Sequence, residues 1–507
     1  MSKRGHAILA ALLVLIASGR VVSTYRVLSH TMDEPEHLGA GMELLGHGAY
    51  TWDTSHPPMA RVLATLGPYL DGARYVPAPG SHAEGILLLG RDDHYDHVLA
   101  LARLGILPLF WVASLGVFLW ARRAGGPVAA VIAVFLFTTI PPVVAHAGLV
   151  TTDMAATAFG AVTFYASLWW AERPDRSRSA VFGVTLGLAA VAKFSLLAYL
   201  PAGWLLLCLW RARSVWRGRS FSVVRVFLRE HLGPLALAAS VGSLVIWAAY
   251  RFSFGPVPAP ELFDGIRGLL QHNARGHDSY VLGERHHFGV WYFFPVLLAV
   301  KTPLALLLLL AWSLARAWRR RFSIDSALAY SAGILLVAMM GRINIGVRHV
   351  LPIYCGLAVI CAVAAADLIR QGRTVPTLGL FALLGWQAIS GAFHHPDYLA
   401  YTNEITGNHP ESFVAESDLD WGQDMKLVAA FLERQGAKQA AFTPYCASYL
   451  DAGRAFPPIT PTNWYHPLPG WNIVSLSGLK VYDHPGWANG RTPDARIGRT
   501  HWAFYFP

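Results

Sequence analysis

Residues 99–121 read LALARLGILPLFWVASLGVFLWA and are closed by Arg122-Arg123. At about 1.5 Å of rise per residue, a helix of this length crosses the roughly 30 Å hydrocarbon layer of a bilayer. Working outward, similar runs recur near 7–27, 127–145, 149–171, 180–193, 195–210, 233–250, 290–312, 326–341, 350–369 and 375–392. The sequence therefore predicts an α-helical polytopic membrane protein of about eleven transmembrane helices. Residues 180–210 are short for two full spans and read as two short helices meeting near Lys193. Irregular backbone at that depth is tolerated where protein or water surrounds it. Composition agrees: 54% of the residues are hydrophobic and 14% charged, against about 25% charged in soluble chains.

The basic residues give the orientation. Lys3-Arg4, Arg122-Arg123, Arg173 to Arg178, Arg211 to Arg229, Arg316 to Arg321 and Arg370 to Arg373 fall on one side of the eleven spans, which is then cytoplasmic. The exoplasmic segments are a large first loop (28–98), 251–289, a short turn near 342–349, and a tail. The net charge of +10 does not point to nucleic acid, because it is spread over these loops and no nucleic-acid-binding signature is present. The first loop behaves oppositely: it carries ten acidic residues, three arginines, and His30, His37, His47, His56, His82, His94 and His97. At the N-terminus, Lys3-Arg4 followed by Ala7 to Ala17 resembles a signal peptide; an uncleaved anchor is favoured, since many spans follow. Cys208, Cys355, Cys361 and Cys446 have neither metal-ligand spacing nor the look of a disulfide framework.

Residues 1–392 thus form the membrane domain. Residues 393–507 are a different kind of sequence, rich in Pro, Gly, Trp and Tyr and without a span. Lys426 to Gln435 has helical spacing and Ala440 to Pro444 starts a strand, which predicts a small exoplasmic α/β domain.

Four constellations carry chemistry. In Asp33-Glu34-Pro35-Glu36-His37, capping of a helix that begins at Pro35 accounts for one carboxylate. Several acids at a membrane surface go further, and a carboxylate beside an apolar wall suits a general base or a metal ligand. In Asp53-Thr54-Ser55-His56-Pro57-Pro58 the prolines form a turn before an amphipathic surface helix, Met59 to Leu70. In Thr151-Thr152-Asp153 the acid lies at the outer end of a span, where ionisable groups are costly and point to function. Lys193, Lys301, Arg342 and Arg348 lie in apolar runs or at the outer boundary. Each alone could snorkel to the interface; together they suggest a phosphate or pyrophosphate site, which a lipid phosphate would fill. No Walker-A loop or G-x-S-x-G elbow is present, and His286-His287 and His394-His395 lack standard ligand spacing.

The order of these motifs resembles the bacterial glycosyltransferase family 39 proteins, relatives of protein O-mannosyltransferases and aminoarabinose transferases within the GT-C superfamily. The likeness runs through Asp33-Glu34, His56-Pro57-Pro58, Thr151-Thr152-Asp153, Ala192-Lys193-Phe194, residues 293–303 and Arg348 to Tyr354. Leu419 to Asp424 (LDWGQD) also resembles a segment of some bacterial members. The resemblance implies a GT-C-like membrane domain and a hexosyl- or pentosyltransferase of the cell envelope. It would move a sugar from a polyprenyl-phosphate-linked donor to a lipid, glycan or protein acceptor, at the periplasmic face of a bacterial inner membrane. It implies Asp33 as catalytic base, assisted by Glu34, with Asp153 as a second acid. Lys193, Lys301, Arg342 and Arg348 would hold the donor phosphate. His37, His56 and His349 are candidates for substrate or metal, and a divalent metal is an open cofactor. Inversion at the anomeric carbon is the expected outcome.

Three other readings stay open. A secondary transporter also places charges in its spans, but usually shows two related halves, and none are visible. A lipid-linked oligosaccharide ligase or polymerase shares the membrane logic with a different acceptor. A non-catalytic envelope protein would use the tail for binding.

Overall fold

The computed structural model describes residues 3–90, 94–215, 221–320, 324–445, 450 and 456–507. Cys446, Arg321 and the first-loop residues 91–93 fall outside them. Each of the eleven apolar stretches contains a helix. Among the described residues, length and apolar composition qualify five to cross a bilayer: Arg4–Val22, Tyr95–Gly125, Glu230–Ala249, Ile353–Arg370 and Thr374–Phe393. A sixth is the pair Phe293–Lys301 and Leu304–Arg319, bent by 112°. By this measure five or six of the eleven expected spans qualify, and proline explains part of the difference. Residues before proline are pushed out of the helical region: Ile140 before Pro141 and Thr302 before Pro303 are both extended, breaking their runs. Pro127–Thr138 is left with 12 residues. The break at Lys193 lies where expected, between Arg176–Ala192 and Leu196–Val215.

Ile353–Arg370 is the centre of the bundle, with 83% of its apolar window buried, against 17% for Thr374–Phe393, whose apolar face is left for lipid. Around it pack Trp120, Phe164 and Tyr330, with ring centroids 5.1–5.3 Å apart. Leu107–Gly125, Asp153–Glu172 and Ile353–Arg370 end together. There Arg123 pairs with Glu172, Arg316 with Asp367 at 2.7 Å, and Arg370 donates to the Gly125 carbonyl at 2.9 Å. Their opposite ends carry the acidic and histidine-rich segments.

Among the described residues the first loop folds into three short α-helices, Glu34–Met42, Pro58–Leu70 and Ser81–Leu89, with a π-helical turn at Glu43–His47. Glu34–Met42 and Ser81–Leu89 cross at glycines. A Cβ on Gly39 would stand 1.9 Å from the Ser81 carbonyl oxygen, and one on Gly85 1.8 Å from that of Pro35. Only glycine allows this backbone approach, and it fixes the helix that begins beside Asp33.

The tail divides in two. Tyr398, Ala400, Val414 and Leu419 are buried in the main core. A second core begins at Met425: the Met425–Arg434 helix buries Met425, Val428, Phe431 and Leu432 against Phe442, Ile473, Ile497 and Ala503. These come from a five-stranded sheet in the order Ile459–Thr460, Ala440–Phe442, Gly470–Ser475, His501–Phe506, Ala495–Ile497. The first three strands pair in parallel and the last two join antiparallel.

Candidate active site

Asp33 precedes the Glu34–Met42 helix, but its side chain makes no capping bond. It accepts instead from Arg348 Nη1 at 2.6 Å, with 27% of the Asp33 side chain and 12% of the Arg348 side chain exposed. The guanidinium lies 4.2 Å over the Trp421 ring, and its buried Nε has no hydrogen-bond partner among the described residues. A cation on an aromatic face is held electrostatically by the ring quadrupole. The same tail segment holds the chain leading to Asp33: Ser29 N–H donates to the Gln423 carbonyl at 2.9 Å and Met32 N–H to that of Trp421 at 3.0 Å. Within LDWGQD, Gly422 N–H donates to Asp420 Oδ1 at 3.1 Å and Trp421 N–H to Gln423 Oε1 at 2.8 Å. The motif thus fixes both members of the Asp33–Arg348 pair.

Asp153 opens the Asp153–Glu172 helix and is buried. It pairs with Lys193 at 2.5 Å and lies 3.8 Å from His146 Nδ1. It also lies within electrostatic range of Arg348. Lys193 reaches it because the chain leaves the helix there in extended conformation.

The first loop closes this side. Arg61, fully buried, pairs with the Asp53 carboxylate and donates to Tyr50 Oη at 2.8 Å and to His37 Nδ1 at 3.0 Å. His37 and His56 stand edge to face, 5.2 Å apart. Burial and then Arg61 hold both imidazoles well below their usual range, His56 at about 3. Burial, Lys193 and Arg348 do the same for His349. All three histidines are therefore neutral, beside cations that are each paired with a carboxylate. Among the described residues no group of three or more His, Cys, Asp or Glu is arranged to hold a metal ion.

In overall shape the chain is similar to ArnT from Cupriavidus metallidurans. The crystal structure of that protein bound to undecaprenyl phosphate matches over 97% of both chains at a TM-score of 0.52 and 14% identity. Its apo structure matches over the same shares at 0.51 and 14%. The chain shares the fold of that protein. The oligosaccharyltransferase of Archaeoglobus fulgidus, tethered with an acceptor peptide, aligns with 96% of this chain and 72% of its own at a TM-score of 0.45 and 13% identity. No protein-family model and no curated protein matches the sequence.

Within this fold, three expected site residues have other surroundings. Glu34 is fully buried and spends both oxygens on four donors. Arg103 Nε and Nη2 lie at 2.9 and 2.8 Å, Val150 N at 2.9 Å and Thr31 N at 2.7 Å. It ties the first loop to the membrane helices and has no oxygen left for a substrate. Lys301 is buried and donates to the carbonyls of Leu399 at 2.7 Å and Asp418 at 2.6 Å; it latches the tail onto its helix. Arg342 is exposed, and its backbone joins Asn273 and His277 instead. The four cations therefore do not gather on one anion: Lys193 pairs with Asp153 and Arg348 with Asp33. The sequence reading missed Arg61, Arg103 and the role of Trp421. Both arginines meet the criterion that singled out Lys301, a cation within an apolar run.

Glu36 adds a pH-sensitive group. Burial and then the Asp53 carboxylate push it up to about 7. A carboxyl whose folded-state pKa is raised contributes stability that is complete below its ordinary value near 4.5 and is lost as pH climbs through 7. Glu36→Gln removes this loss. The variant is expected to match the wild type at pH 4 and to exceed it at pH 8 by on the order of 2 kcal/mol, read as thermal unfolding midpoints at the two pH values.

Proposed function

We propose that the chain is a membrane glycosyltransferase. It moves a sugar from a polyprenyl-phosphate-linked donor to an acceptor hydroxyl at the exoplasmic face of the bacterial cytoplasmic membrane. The observation that carries this reading is Arg348: a nearly buried guanidinium with one end on the candidate base, Asp33, and a spare Nε donor. The fold shared with a protein crystallised with undecaprenyl phosphate supports the donor class. The arginine-rich ends of the helices, opposite the site, support the orientation.

In this mechanism Asp33 takes the proton of the acceptor hydroxyl, whose oxygen attacks the anomeric carbon. The bond from that carbon to the phosphate oxygen breaks, and polyprenyl phosphate leaves with the electron pair. Arg348 and Lys193 carry the negative charge that develops on the leaving phosphate, as fixed cations do for a transferring anion. Asp153 holds Lys193 in place. One carboxylate serving one displacement inverts the anomeric carbon. The test is binding of undecaprenyl phosphate to the full chain in nanodiscs. Arg348→Ala is expected to weaken it by at least about ten-fold, the scale of a lost charge-assisted contact. Unchanged binding in that variant would overturn the assignment.

A further inference from the structure

A cavity of about 470 Å³ lies between Met32, the residue before Asp33, and the C-terminal sheet. Its walls include Tyr445, Thr462, Trp464, Tyr482 and His484. Small-molecule sites span about 300–1,000 Å³ and combine apolar walls with a few placed polar groups, so one or two sugar rings fit this space.

The lining is specific. The Trp464 and His484 rings are stacked, with centroids 4.0 Å apart and planes 10° from parallel, yet Trp464 remains 52% exposed. Tyr445 and Tyr482 form a second stacked pair at 6.4 Å. Trp487 Nε1 donates to the Asn463 carbonyl at 2.9 Å and so fixes the segment that carries Trp464. An aromatic face carries partial negative charge and receives the polarised C–H face of a pyranose. Thr462 is 7% exposed, and its hydroxyl has no hydrogen-bond partner among the described residues. Such a group is costly and calls for an explanation; a sugar hydroxyl supplies the missing partner. The cavity also neighbours the candidate base, because Met32 in its lining immediately precedes Asp33.

We propose that this cavity is the acceptor subsite and that it takes a saccharide ring, presenting its hydroxyl past Met32 to Asp33. The inference rests on the transferase reading and narrows its acceptor to a glycan or a glycolipid headgroup.

The test uses the full chain in nanodiscs, with methyl β-glucoside, methyl α-mannoside, chitobiose and decanol as probes. Saturation-transfer NMR and tryptophan fluorescence report binding. At least one sugar is expected to bind saturably, Trp464→Ala to weaken it by at least about ten-fold, and Trp464→Phe, which keeps a ring, to restore most of it. Undecaprenyl phosphate binding should be equal in Trp464→Ala and wild type. Sugar binding indifferent to Trp464→Ala, binding of decanol alone, or binding of no probe would each overturn the subsite. Failure of the wild type to bind undecaprenyl phosphate, with sugar binding intact, would instead overturn the donor reading.

Discussion

Replacing Asp33 with Asn is expected to lower the rate of sugar transfer by about 10²–10⁴-fold, the usual contribution of a positioned general base. Asn has nearly the same shape, and its carbonyl oxygen can still accept from Arg348 Nη1, now 2.6 Å from the carboxylate. It cannot take the acceptor proton. Because Asn keeps an oxygen on the largely buried Arg348, the structural cost is expected to stay below the roughly 3–5 kcal/mol of stranding a buried charge. The two readings of the acid therefore separate cleanly. A base loses turnover with a nearly unchanged unfolding midpoint. A mere ion-pair partner loses a little stability and keeps its rate. Single-turnover transfer measured beside thermal unfolding decides between them.

The next residue should behave in the opposite way. Glu34→Ala is expected to cost about 3–5 kcal/mol of stability, because it strands a buried guanidinium. Arg103 would lose both carboxylate contacts, and the amides of Val150 and Thr31 would lose their acceptor. Against a total stability of about 5–15 kcal/mol, this should appear as a large fall in folded yield and in unfolding midpoint. Glu34→Gln, which keeps the shape and one acceptor oxygen, should fall between. An Ala variant with wild-type yield and midpoint would show that the Glu34–Arg103 pair does not hold the loop.

The contrast between these neighbours shows what the sequence could carry. Asp33 and Glu34 are adjacent acids, and composition gives both the same standing. Their roles are set by arginines 315 and 69 positions away in the chain, which no local pattern joins to them. Local features were legible. The apolar runs became helices, the Lys193 break and the surface helix after His56-Pro57-Pro58 are present, and the tail has its helix at Met425–Arg434 and its strand at Ala440–Phe442. These depend on periodicity and on proline, which act within a few residues. Lys301 is harder to read for a physical reason: a cation in an apolar run signals only that an acceptor is near. Here the acceptors are two tail carbonyls that sequence spacing does not reveal. The same holds for LDWGQD, where the order of residues drew notice. Its work, a ring beneath Arg348 and carbonyls for Ser29 and Met32, exists only once the tail folds back over the first loop.

The most direct test is turnover of a radiolabelled undecaprenyl-phosphate sugar by the full chain in proteoliposomes that contain glycolipid acceptor. Free undecaprenyl phosphate should appear one for one with glycosylated acceptor, with inverted configuration at the transferred carbon. Labelled sugar that instead accumulates in the lumen without release of undecaprenyl phosphate would contradict a transferase and identify a transporter.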